Sequence, residues 1–148
     1  MIDYEKISAL EVQMLAKQGD EEALFEMAYR FELMPSGDKG NSVEECAWQD
    51  YWLEKAADAG QINAKMNYAY SLGNRPPDKE YCQKSMKYYQ ELSNDFDAGK
   101  ISDEKRDIGI SAKLMLGIML CEGNGIERDG KKGVELIEAA KAREINNL

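Results

Sequence analysis

Carboxylates are the side chains through which this sequence could do chemistry, and Asp20-Glu21-Glu22 and Glu44-Glu45 place them side by side. Adjacent carboxylates suit general acid–base work or Ca²⁺ binding, but a calcium loop needs oxygen ligands spaced D-x-D-x-D-G, and neither cluster has that spacing. Both stand where a helix is expected to begin, and acids in a first turn are favoured by the helix dipole. Histidine is absent from the chain, which removes Ser-His-Asp and Cys-His nucleophiles, His metal ligands and the usual neutral-pH proton shuttle. Cys46, Cys82 and Cys121 are odd in number, far apart and lack a C-x-x-C pair, so they read as buried free thiols. Gly123-Asn124-Gly125 is half of a phosphate loop, but a helix precedes it, a third glycine is missing, and Glu127 and Asp129 would repel phosphate. Trp48, Trp52 and Tyr88-Tyr89 could stack on a ligand, yet helical register assigns Trp52 and Tyr88 to the core. The expectation is a protein with no catalytic residues, no metal and no cofactor.

Charge narrows the partners. The chain carries a net charge of −9, and all of it resides in residues 1–60, which hold five basic and 14 acidic side chains; residues 61–148 hold 14 of each. Such an acidic surface repels phosphate backbones and anionic lipid, so neither nucleic acid nor membrane is an expected partner, whereas it steers a basic protein. The opening Met-Ile-Asp-Tyr-Glu-Lys has acids where a secretory signal is positive. The longest apolar stretch, Leu114 to Cys121, falls well short of the roughly 20 residues a spanning helix needs. A cytoplasmic location is expected. With 148 residues, 43% of them apolar, the chain has the length and core-forming capacity of one domain, 1–148.

Helical periodicity runs almost throughout. Ile7, Leu10, Met14 and Leu15 share a face of a first helix over about 3–18 that Gly19 ends. Asp20 caps a second to about 33, with Leu24, Met27, Ala28 and Phe31 on its inward stripe, and Pro35, Gly37 and Gly40 close it. Ser42 and Glu45 have capping-box spacing for a third that stops at Gly60. Helices follow over about 61–72 and from Asp78 to about 96. Then comes a charged insert around 97–108, a helix through Ala112 to Glu122 that Ser102 could cap, and a last helix over about 129–145.

The helices repeat. Ala16-x-x-Gly19-x-x-x-Ala23 returns as Ala57-x-x-Gly60-x-x-x-Ala64, and the segments from Ala23, Ala64 and Ala112 superimpose as small, small five residues later, then large apolar. Ala28, Ala69 and Gly117 let helices approach closely, beside Phe31, Leu72 and Leu120. With Trp52-Leu53-Glu54-Lys55-Ala56-Ala57-Asp58-Ala59-Gly60 and Gly123-Asn124-Gly125-Ile126-Glu127-Arg128-Asp129, the chain over about 20–145 resembles the Sel1-like repeat family, relatives of tetratricopeptide repeats. The spacings Ala23 to Ala64 and Ala64 to Ala112 are unequal, and the middle unit lacks the double alanine and the glycine loop. The resemblance implies an all-α fold, antiparallel helix-turn-helix repeats stacked as a short right-handed α/α solenoid of about seven helices. The units are an N-terminal helix 1–19, repeats at 20–60 and 61–99, and a third repeat at 100–148 with its preceding insert.

The family implies binding rather than catalysis. In tetratricopeptide-like geometry first helices line the concave side, so Glu22, Phe25, Tyr29 and Glu32, with Asn63, Met66 and Tyr70 in the next unit, are the expected partner-binding residues. Aromatic and Met side chains beside carboxylates provide contact area and acceptors for Lys or Arg. The expected function is binding a basic protein partner, a toxin, effector or assembly component, and neutralising it as an immunity protein or antitoxin would. The alternative is an adaptor that bridges parts of a larger assembly.

Overall fold

Ser8 starts the first helix. Its hydroxyl accepts from the Glu11 N–H (3.2 Å), and the Glu11 carboxylate accepts in return from the Ser8 N–H (2.9 Å) and hydroxyl (2.8 Å), satisfying donors that a helix start leaves unpaired. Those two bonds, the backbone one first, hold the Glu11 carboxyl below its usual range. The structure is a computed structural model that describes residues 1–32, 43–76 and 78–146. The chain is all-α, and among the described residues there are seven α-helices, one 3₁₀ turn and no strand. They are α1 (Ala9–Lys17), α2 (Glu21–Glu32), α3 (Val43–Asp58), α4 (Ile62–Gly73), α5 (Lys79–Asp97), the 3₁₀ turn Asp103–Lys105, α6 (Arg106–Glu122) and α7 (Gly130–Ile145).

One turn recurs after α1, α3 and α5. Gly19, Gly60 and Gly99 take φ values of +86°, +103° and +71°. In each turn the glycine N–H donates to the carbonyl three residues back, and the next N–H donates to the one five back: Asp20 to Leu15 (3.1 Å), Gln61 to Ala56 (3.0 Å), Lys100 to Asp95 (2.9 Å). This is the Schellman pattern, which closes a helix through a left-handed residue that glycine adopts without a Cβ penalty. Measured from these glycines, Val12, Leu53 and Leu92 are equivalent, as are Ala16, Ala57 and Phe96, and all six are buried. The unequal spacing then has a cause. Ala23 and Ala64 stand four residues after their glycines, but Ala112 stands thirteen after Gly99, and the extra residues form the 3₁₀ turn and the first turns of α6.

Packing gathers the chain into two compact units, Met1–Tyr68 and Ala69–Leu148, with the boundary inside α4. The sequence reading instead divides a single domain after 60 and 99. In the first unit α1 packs on α2 and α2 on α3. In the second α5 packs on α6 and α6 on α7. The repeat's small positions Ala23, Ala28, Ala64, Ala69, Ala112 and Gly117 are all buried. Beside them Leu72, Leu120 and Tyr88 are buried as expected, while Trp52 is only half-buried, edge-on to Tyr51.

Three local expectations change. The first helix begins at Ala9 rather than near residue 3, and it buries Val12 and Ala16 rather than the stripe Ile7, Leu10, Met14, Leu15; Leu10 and Met14 are 65% and 54% exposed. A β-branched and a small residue let α1 lie close on α2, which a leucine and methionine face would hold away. Ser102 precedes the 3₁₀ turn but its side chain makes no capping bond. Of the cysteines, Cys82 is buried and Cys121 half-buried, both as free thiols. Residues 33–42, with Pro35, Gly37, Gly40 and Ser42, and the side chains of Phe31, Glu32, Glu45 and Cys46 lie outside the described residues.

Candidate functional site

The site is built by the segment ahead of α1, which α2 ties down. Arg30 sits half-buried on α2. Its Nε donates to Glu26 Oε1 on the previous turn (2.8 Å), and its Nη2 donates to the carbonyls of Tyr4 (3.0 Å) and Ile7 (2.9 Å). Glu26 is a buried carboxylate, so the guanidinium both compensates it and holds residues 1–7 against α2. A second tie runs from the Tyr4 hydroxyl to Asp20 Oδ2 (3.0 Å), while Asp20 Oδ1 accepts from the Ala23 N–H (2.9 Å) and caps α2.

Between that segment and α2 lies an open groove of about 630 Å³. Its apolar walls are Met1, Ile2, Phe25 and Tyr29, and its acids are Asp3, Glu5, Glu22 and Glu26. Asp3 pairs with Lys6 (2.9 Å) and Glu26 with Arg30. Glu5 and Glu22 have no ion pair among the described residues; Glu22 accepts from Gln61 Nε2 (3.3 Å). Buried Gln61 is held from its other end, where its Oε1 accepts from the Ala64 N–H and starts α4. The groove lining holds four acids, and Tyr4 stands among them. Its hydroxyl is pushed above the ordinary phenol value first by the bond to Asp20, then by burial and by the charges of Asp20, Glu22 and Glu21.

Three of the expected partner-binding residues, Glu22, Phe25 and Tyr29, therefore meet in one groove. Asn63 and Met66 are half-buried on α4 and do not line it. The side chain of Glu32 lies outside the described residues. Tyr70 belongs to the second unit and lines a different cavity, of about 250 Å³, with Ile118. Tyr29, Tyr70 and Ile118 each stand six residues after the buried alanine that opens their repeat segment. The position is thus reused, and each time it faces a cavity in its own unit.

Sequence reasoning missed Met1 to Glu5. Their place depends on Arg30, more than twenty residues away, and nothing local signals it. Among the described residues no group of His, Cys, Asp or Glu side chains is arranged to hold a metal, and no helix is long and apolar enough to cross a membrane. In comparisons with known proteins, no family model matches the chain and no curated protein matches it.

Proposed function

We propose that this chain is a protein-binding module of Sel1-like character that takes a basic segment of a partner protein into the groove of its first unit. One observation carries the reading: Phe25 and Tyr29 flank Glu22 and Glu5, two carboxylates without an ion pair among the described residues, in a groove wide enough for extended side chains. Aromatic faces and carboxylates together receive a Lys or Arg better than either alone, through cation–π contact and charge-assisted hydrogen bonds. The surplus of acid in residues 1–60 supports the same partner chemistry at longer range, where it raises the association rate. The partner is a cytoplasmic toxin or effector whose basic surface the module occludes, so the function is neutralisation without catalysis.

The test is affinity capture from lysate of the producing cells at low and high salt, using the wild-type chain and a Glu5→Lys, Glu22→Lys double variant. A basic protein recovered at low salt by wild type, lost with the variant and inactivated in the complex supports the reading. Recovery of the same proteins by both chains at both salts refutes it.

The adaptor reading has one specific support. Residues 61–148 balance acid with base, and the second unit carries its own cavity, with Met115, Ile118 and Met119 in its wall and a single acid, Glu122, together with Arg75. Two cavities of different chemistry suit two ligands. Simultaneous recovery of two proteins in one complex favours this reading over neutralisation.

A further inference from the structure

The cavity of the second unit contains a buried polar group with nothing to bond. Tyr89, on α5, is 1% exposed, and its hydroxyl has no hydrogen-bond partner among the described residues. Buried hydroxyls in folded proteins are nearly always paired, because leaving one unpaired forfeits its hydration without return. The same side chain lines the 250 Å³ cavity between the end of α4, α5 and α6. The walls are otherwise chiefly apolar and adaptable: Met115, Ile118 and Met119 from α6, with Tyr70 from α4. Half-buried Arg75 and the exposed side chains of Glu122, Asn74 and Asn124 also line it.

We propose that this cavity is a binding site for a small, compact organic molecule with an apolar body and one carbonyl or carboxylate oxygen, which accepts a hydrogen bond from Tyr89. The volume sets the size, since at roughly 30 Å³ per water-sized group it admits on the order of eight such groups. Methionine walls fit an irregular apolar body, because an unbranched thioether repacks easily. The orphan hydroxyl sets the polarity. Burial, with a smaller contribution from Tyr70 nearby, pushes its ionisation up to about 12, so it remains a donor at any physiological pH and asks for an acceptor. Arg75 and Glu122, of opposite charge, both line the cavity, so a neutral carbonyl suits it as well as a carboxylate. The site is independent of the partner groove in the first unit.

Three probes of similar size and branching test it on the full chain carrying ¹³C-methyl methionine: benzoate, benzamide and isopropylbenzene. The expected result is that benzoate and benzamide shift the Met115 and Met119 methyl signals. They bind about fivefold more tightly than isopropylbenzene, the increment of one net hydrogen bond. Tyr89→Phe removes that preference and leaves the hydrocarbon's affinity unchanged, with a melting temperature equal to or above wild type. Ile118→Trp, which fills the cavity, abolishes binding of all three. The ranking of benzoate against benzamide assigns the acceptor as a carboxylate or a neutral carbonyl. Methyl signals that none of the probes moves, or a Tyr89→Phe chain that binds all three as wild type does, overturn the proposal.

Discussion

Gly117 on α6 and Gly133 on α7 meet backbone to backbone. A Cβ added to Gly117 would stand 2.7 Å from the Gly133 carbonyl oxygen, and one added to Gly133 would stand 2.6 Å from the Gly117 carbonyl oxygen. The contact is reciprocal, and neither side can relieve it by turning a side chain. It lets α7 lie closely on α6, the helix in which Leu116 and Leu120 are buried.

Gly117→Ala therefore lowers stability even though alanine is the better helix former. Overpacking at a backbone contact costs about 1–3 kcal/mol, against a propensity gain of about 1 kcal/mol. Chemical denaturation should show a net loss of about 1 kcal/mol. A gain in stability would mean that α7 moves away freely.

Arg30→Met should cost about 3 kcal/mol, because it leaves the buried Glu26 carboxylate uncompensated. It should also release residues 1–7, since both carbonyl bonds go with the guanidinium. Hydrogen exchange would then rise across residues 2–8, and the groove's ligand affinity would fall with it. Glu26→Gln in the same background should recover much of the stability by removing the orphaned charge.

Lys113 and Asp97 form an unequal pair. The lysine is 5% exposed and the carboxylate lies half in solvent, with Nζ 2.7 Å from Oδ2. Asp97→Ala strands a buried ammonium and should cost about 3 kcal/mol, whereas Lys113→Met replaces the charge with an apolar chain of similar length and should be close to neutral. Arg143, 3.7 Å from the other carboxylate oxygen, remains a partner for Asp97 when Lys113 is replaced. Equal losses from the two substitutions, measured by urea denaturation, would contradict this assignment.

Alkaline pH should weaken the second unit through Tyr89. Its folded value of about 12 exceeds the ordinary 10.0, chiefly through burial. The fold therefore holds a proton that the unfolded chain gives up first. The stabilisation is complete below pH 10 and is lost as pH rises through 12, by an amount on the order of 2 kcal/mol. The difference in stability between wild type and Tyr89→Phe should shift in the variant's favour across that interval and stay constant from pH 6 to 9.

The elements legible in the sequence are those specified within a few neighbouring residues. Glycine after α1, α3 and α5, an acid before α2, α5 and α7, and small residues at fixed spacing mark where the chain turns and where helices touch. Ala23, Ala64 and Ala112 are buried accordingly. The face of α1 was misread because two stripes fit its periodicity. The signal that discriminates them was present, since Ala16 heads the same Ala-x-x-Gly motif as buried Ala57. The insert before α6 was harder. Its glycine aligns with Gly19 and Gly60 only once the turn hydrogen bonds identify it.

Composition and local pattern by themselves determined an all-helical chain with a repeating turn, an acidic first part and no histidine chemistry, because helix propensity, capping and net charge are properties of short segments. Tertiary structure decided which side chains share a site. It brought Glu22, Phe25 and Tyr29 to one groove and added Met1 to Glu5 through Arg30. It placed Tyr70 and Tyr89 at another cavity. Such groupings depend on contacts between residues distant in the chain, and only folding, by making burial worth more than the entropy of closing those loops, selects among the many that one sequence would allow.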